Sequence, residues 1–396
     1  MDIVYFLENV MKVLYILKSF ALKAGTERVM ADKMNYLAEH GYEVVMVTYE
    51  QGNHPHAFPL HQSIHHIDLE TVFFQIEKYS WLKRFPLFVR MRNKFRYRLQ
   101  TIIDDVEPDI IISTTYSMKL IDIILSVKTK ACHIVESHVA CYSIQKTYIY
   151  RHHTVLCFFT RLYDYWMLGK VAKADLLITL TNGDAKDWLR FTSKVKVIPN
   201  PVTLYPKVIK NHDGRGHRII CVGRLNEQKG FDLLIDAFAL IASQCEGWTI
   251  DIYGDGYDKS DLIGQIRQNN LDSRIKINPP TASIYDEYQS SEFLVLSSRY
   301  EGWGLVLVEA MSCGIPCVSF RCKYGPEDVI SDRKTGLLVE NGNVEDLSNK
   351  ILWMINHPKE RLQMGQEARL TAANFEKNVI MQLWLKLLNQ ESIIKL

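Results

Sequence analysis

Nowhere do about 18 apolar residues run together in the 396-residue chain, so no segment reads as a membrane span. Residues 1–10 carry Asp2 and Glu8 without a basic run, which is not the pattern of a secretory signal, and Met11-Lys-Val-Leu-Tyr reads as the natural start of a first strand. The formal net charge is only +2, too small to argue for nucleic acid as a partner. Cys-x-x-Cys pairs are absent. The eight cysteines are scattered, several in apolar strand contexts such as Cys221 and Cys317, and read as reduced, buried thiols of a cytoplasmic protein. Cys313, Cys317 and Cys322 are close in sequence, but Gly-Ile-Pro separates the first two as helix end and strand, and no zinc is expected there. No short-period repeat stands out. What is there is core material: 47% hydrophobic and 11% aromatic residues, enough for two or three domains.

Apolar runs of strand length alternate with helical periodicity. Strands are expected at Val13–Leu17, Glu43–Thr48, Asp109–Ser113, Ala131–Glu136 and Leu176–Thr179, with a helix over Thr26–His40. The scheme repeats at Ile219–Val222, Trp248–Tyr253, Ile275–Ile277, Phe293–Leu296 and Cys317–Phe320, so the chain is α/β and each half is expected to be a doubly wound, Rossmann-like sheet. Ile198-Pro-Asn-Pro-Val202 and the polar Lys207–Gly216 mark a linker. The expected division is 1–200, a linker at 201–216, 217–375, and a last helix within 376–396.

The densest chemistry lies in Glu301-Gly-Trp-Gly-Leu305 and Glu309. The Gly-Trp-Gly stands where an apolar strand gives way to a helix starting at Leu305. Gly302 and Gly304 there can present backbone N–H groups at the positive end of a helix dipole, which suits a diphosphate. Glu309, one to two turns on, can accept hydrogen bonds from sugar hydroxyls. Upstream, Cys221-Val-Gly-Arg-Leu-Asn-Glu-Gln-Lys-Gly230 offers Arg224 and Lys229 to offset charge on a departing nucleotide diphosphate. Taken singly, each of these residues has an ordinary surface-loop or solvated-helix reading.

Together they resemble the Glu-x7-Glu signature and Gly-Arg-Leu-x-x-x-Lys-Gly clamp of retaining family 4 glycosyltransferases. The match includes Glu309-Ala-Met and Gly314-Ile-Pro-Cys-Val. The resemblance implies the GT-B fold, two Rossmann-like domains facing a central cleft, with the C-terminal helix crossing back to the N-terminal domain. It implies Glu301, Arg224 and Lys229 as catalytic, and Gly302, Trp303, Gly304, Leu305 and Glu309 as donor-binding.

Lys23-Ala-Gly25-Thr-Glu-Arg28 is similar to the family's first Gly-rich loop, but Ala24 replaces its first glycine, so only Gly25 carries over; a tight strand-to-helix turn with Thr26 near the N-cap is the plainer reading. Tyr253-Gly254-Asp-Gly-Tyr257 is similar to the loop near the nucleotide, and Ile275–Thr281 falls where relatives meet the base. Pro279 has no N–H, leaving Ile277 and Asn278 for base contacts. His138, in Val135-Glu-Ser-His, sits beyond a buried strand and is expected among the catalytic residues, bonding a donor-sugar or acceptor hydroxyl, the alternative being a core or surface histidine. His65-His66 and His152-His153 have no ligand-spaced partners and read as surface residues.

Lys78–Arg98 interleaves eight Lys and Arg with Trp81, Phe85, Leu87, Phe88 and Phe95 and no acid, the composition of an interfacial segment drawn to anionic lipid or of a basic helix covering its own core. Tyr148–Trp166 reads as a flank of the same surface. Asp-x-Asp is missing, so charge neutralisation falls to Arg224, Lys229 and helix amides without metal or other cofactor. With the family resemblance, this implies a retaining transferase of hexose or N-acetylhexosamine using a UDP-linked sugar and a glycan acceptor, polyprenyl-diphosphate-linked, on the inner face of the cytoplasmic membrane in envelope polysaccharide synthesis. A non-transferring GT-B enzyme such as a nucleotide-sugar 2-epimerase shares the diphosphate features. A Rossmann dehydrogenase is excluded by the lack of Gly-x-Gly-x-x-Gly after the first strand.

Overall fold

The computed structural model describes residues 10–76, 78–144, 154–209 and 216–390. Residues 1–9, the His152-His153 pair, most of the expected linker's polar stretch and the chain's last six residues lie outside the described residues. The chain divides into two compact units: 1–179 with 185–198 and 381–396, and 180–184 with 199–380.

In the first unit seven parallel strands form one sheet: β1 (Lys12–Leu17), β2 (Glu43–Thr48), β3 (His65–Asp68), β4 (Ile110–Thr114), β5 (Cys132–Ser137), β6 (Leu176–Thr179) and β7 (Val195–Val197), ordered β3-β2-β1-β4-β5-β6-β7. Every residue of β4 and β5 is buried, as expected of a parallel sheet covered on both faces. β3 and β7 are the short, part-exposed edges, too polar to be read from composition. His66, read as a surface residue, lies in β3, its ring 2.8 Å from the Thr48 hydroxyl and 3.0 Å from the His56 ring.

The helix Gly25–Glu39 begins one residue before the expected start, with extended Ala24 rather than Thr26 at the N-cap and no side-chain cap. Its apolar face is Val29, Met30, Met34 and Leu37, and Lys33 lies buried among them. A 26-residue helix, Trp81–Val106, takes up the basic segment. Phe95, Leu99 and Ile103, at i, i+4 and i+8, enter the core, each stabilising by about 1.5–3 kcal/mol.

Six parallel strands make the second unit's sheet: β8 (Arg218–Val222), β9 (Thr249–Tyr253), β10 (Ile275–Asn278), β11 (Phe293–Leu296), β12 (Cys317–Phe320) and β13 (Gly336–Val339), ordered β10-β9-β8-β11-β12-β13. The order reverses between β8 and β11. Loops leaving the carboxyl ends of two such strands diverge to opposite faces, and the crevice between them is where open α/β sheets bind ligands. The seven cysteines with described side chains are all buried and free. Burial pushes the Cys313 thiol up to about 12, as inert core thiols behave.

Candidate diphosphate and sugar site

The loop after β8 carries Arg224 and Lys229; the loop after β11 carries Glu301 to Gly304. Hydrogen bonds stitch the two together: the Arg299 N–H donates to the Gln228 carbonyl at 2.8 Å, Gln228 Nε2 to the Tyr300 carbonyl at 3.0 Å, and Ser297 Oγ to the Lys229 carbonyl at 3.0 Å. The Arg299 guanidinium forks onto Asp232 at 2.6 and 2.9 Å. Gly230 is required twice over: its φ is +60°, and a Cβ there would collide with the Ser297 carbonyl.

At the centre Lys229 Nζ lies 2.6 Å from Glu301 Oε1, which also accepts from Ser298 Oγ at 2.6 Å. The solvated-loop reading of Lys229 therefore does not hold: the paired loops bring the acid of Glu301-Gly-Trp-Gly against it. Glu301 is buried and its backbone is clamped from the chain beyond β12, its N–H donating to the Lys323 carbonyl at 2.7 Å and its carbonyl accepting from Tyr324 at 2.7 Å. Arg224 is exposed, and among the described residues its guanidinium has no hydrogen-bond or ion-pair partner.

Gly304, at φ +80°, ψ +52°, turns the chain into the eight-residue helix Leu305–Ser312. Among the described residues nothing accepts a hydrogen bond from the N–H groups of Gly302, Trp303, Gly304, Leu305 and Val306. Five consecutive free amides at a helix N-terminus form an anion cradle. The Trp303 ring is buried against Phe375, and its indole N–H has no partner among the described residues. Glu309 is buried on the following helix, where Tyr288 donates to its Oε2 at 2.9 Å. The solvated-helix reading of Glu309 therefore does not hold.

The expected base-contact residues are committed elsewhere in part. The Gly254 N–H donates to the Asn278 carbonyl at 3.0 Å, and Asn278 Nδ2 to Asp251 at 3.0 Å, where Arg218 also binds at 2.5 Å. Ile277 packs partly buried on the core. Gly254 is needed because a side chain there would strike the Gly223 carbonyl, a close approach of two loops that holds with or without a nucleotide.

In the first unit Gly25 is the exposed first residue of its helix, and His138 is tied down. The His138 side chain is only 1% exposed and its Nε2 stands 3.0 Å from Glu136 Oε2. Lys33 Nζ lies 2.6 Å from both Glu136 oxygens, and Trp384 covers the ammonium at 3.5 Å. Burial would raise the Glu136 carboxyl, but Lys33 and His138 hold it below its ordinary value; burial also lowers the Lys33 ammonium. The Tyr15 hydroxyl, buried beside this carboxylate and without a hydrogen-bond partner among the described residues, keeps its proton far above the usual range.

Two family models account for most of the chain: Glycosyltransferase Family 4 matches residues 24–204 and Glycosyl transferases group 1 matches 207–371. The chain is a family 4 glycosyltransferase. It is 27% identical over 94% of its length to an uncharacterised glycosyltransferase of Haemophilus influenzae, covering 98% of that protein. The amylovoran biosynthesis glycosyltransferase AmsD of Erwinia amylovora is 25% identical, with 96% and 99% covered. Among solved structures, Staphylococcus aureus TarM with UDP bound superposes with a TM-score of 0.75 at 17% identity, covering 96% of this chain and all of that one. The glycosyltransferase thus has the GT-B fold expected from its motifs.

Proposed function

We propose that this glycosyltransferase moves a hexose or N-acetylhexosamine, with retention, from a UDP-linked donor to a lipid-linked glycan acceptor in envelope polysaccharide synthesis. The observation that carries the reading is the Lys229–Glu301 pair beside five unpaired amides at the β8/β11 crevice. That cradle suits a diphosphate, the exposed Arg224 offers it a cation, and in this reading Glu309 accepts sugar hydroxyls. UDP is supported by its presence in TarM, and a role in polysaccharide synthesis by the amylovoran biosynthesis glycosyltransferase AmsD. In the transfer the bond from C1 to the diphosphate breaks while the acceptor oxygen bonds C1 on the same face. The acceptor's proton passes to the departing phosphate, whose charge the amides, Lys229 and Arg224 offset.

Incubation with a panel of nucleotide sugars, with and without polyprenyl-diphosphate-linked glycan, should release nucleoside diphosphate only when the acceptor is present, and NMR should show the donor's anomeric configuration kept. An inverted product overturns the retaining mechanism; a 2-epimerised sugar nucleotide overturns transfer altogether. Because fixed cations and amides face the diphosphate, EDTA should leave the rate within about twofold; activity lost to EDTA and restored only by Mg²⁺ or Mn²⁺ contradicts a metal-free site.

Attachment to an anionic membrane through the first unit belongs to the same proposal. No described helix is long and apolar enough to cross a bilayer. The basic helix is less free than its sequence reads, because acids distant in sequence fold against it: Arg92 binds Asp122 at 2.6 Å, Arg98 binds Glu70 at 2.9 Å, and Phe95 is in the core. Outward on it stand Lys83, Arg84, Arg90, Lys94 and Arg96 with Leu82, Phe85, Val89 and Tyr97. A second helix, Thr154–Gly169, exposes Phe158, Phe159, Leu162, Tyr165 and Trp166. Lys170, 3.8 Å over the Trp166 ring and 3.7 Å from Asp122, ties that helix to the side of the first. Apolar side chains flanked by cations, at about 1 kcal/mol per cation near anionic lipid, suit such a surface. The protein should float with phosphatidylglycerol vesicles, not with phosphatidylcholine, and detach as salt rises or when Lys83, Arg90 and Arg96 become Glu. Wild-type protein left in the soluble fraction at low salt sinks the attachment.

A further inference from the structure

We infer that Tyr288 is a positioning residue for the donor's ribose, acting through Glu309. The inference rests on the reading above that Glu309 receives sugar hydroxyls. Tyr288 lies on the short helix Ile284–Gln289, wholly buried, and its hydroxyl donates to Glu309 Oε2 at 2.9 Å. Both groups are enclosed, so the bond fixes the plane of a carboxylate that has little water to orient it. The chemistry suits one direction of donation only. Burial and the adjacent Glu309 charge push the phenol far above its ordinary range, so it stays protonated and the carboxylate stays the acceptor.

The phenol is itself braced. Tyr285, one turn earlier, meets the Tyr288 ring edge-on at 5.9 Å, and its own hydroxyl accepts from the Leu204 N–H at 3.1 Å. Three residues past Glu309, Ser312 Oγ donates to the Glu309 carbonyl at 2.7 Å. Glu309 is therefore held through its carboxylate and its backbone. A hydroxyl-binding carboxylate discriminates by direction, since a ribose diol is gripped only when the acceptor oxygen is aimed at it.

The test compares wild type, Tyr288→Phe and Glu309→Gln for binding, by calorimetry, of UDP, 2′-deoxy-UDP and 3′-deoxy-UDP, with donor KM, kcat and melting temperature alongside. Tyr288→Phe should weaken UDP about tenfold, raise donor KM similarly, leave kcat within about threefold, and shrink the preference for UDP over a deoxy form. A packing role predicts a different pattern, a lower melting temperature with all three nucleotides weakened equally, and that result overturns the inference. Glu309→Gln separates the two layers. If it keeps the ribose preference, or if wild type shows none, the reading of Glu309 fails. If Glu309→Gln abolishes the preference while Tyr288→Phe keeps it, the positioning role of Tyr288 alone fails.

Discussion

Glu301→Gln and Lys229→Ala each lower kcat by about a hundredfold or more, and the double variant is little worse than either. The magnitude follows from the site's geometry. The amide of Gln keeps the shape of Glu301 and a bond to Ser298, so the fold is preserved, but it removes the charge that holds the Lys229 ammonium at 2.6 Å. An ammonium aimed at a developing phosphate charge is worth a few kcal/mol, and each 1.36 kcal/mol is tenfold in rate. Because the two side chains act as one unit, their losses do not add. Steady-state release of nucleoside diphosphate measures this. Wild-type turnover in either variant removes the pair from the mechanism, and a double variant losing the product of the two single losses makes the residues independent.

Lys33→Met is expected to destabilise the first unit by about 3–5 kcal/mol, since it leaves Glu136 charged and buried with only the His138 contact at 3.0 Å, whereas Lys33→Met with Glu136→Leu recovers most of the loss. The pH dependence gives the sign. In the wild type the folded Glu136 carboxyl sits below its ordinary value, so its contribution is present above that ordinary value and lost as pH falls through the depressed folded one. Without Lys33, burial, the largest influence on the carboxyl, is opposed only by His138, and the variant gains stability relative to wild type on acidification. Urea denaturation at neutral and mildly acid pH reads both effects. A single variant as stable as wild type at neutral pH would show that water, not Lys33, compensates the carboxylate.

The central strands of both sheets were legible because parallel strands buried on two faces are unbroken runs of Val, Ile and Leu, whereas the four-residue β13, though buried, was too short to stand out. The edge strands β3 and β7 were not, since half-exposed polar residues carry no such run. Glu301, Lys229 and the glycines were readable by spacing, yet their direct pairing was not, because it depends on two loops 72 residues apart meeting at the switch point. Tyr288 gave no signal: one aromatic in a short helix looks like core. Lys33 and Glu136 did leave a trace. A lysine between Met30 and Met34 on an apolar helix face and a glutamate inside Ile134-Val-Glu-Ser are charges where the pattern demands none, and their joint presence is the signature of a buried pair.

The helix Lys377–Leu388 begins in one compact unit and ends in the other, and Trp384, which caps the Lys33 ammonium, belongs to the part beyond residue 380. The half of the molecule encoded first is therefore finished last. During synthesis, residues 10–198 leave the ribosome with Lys33 uncovered and wait for nearly two hundred further residues before their final segment arrives, so the first unit completes its core only after the second has been made.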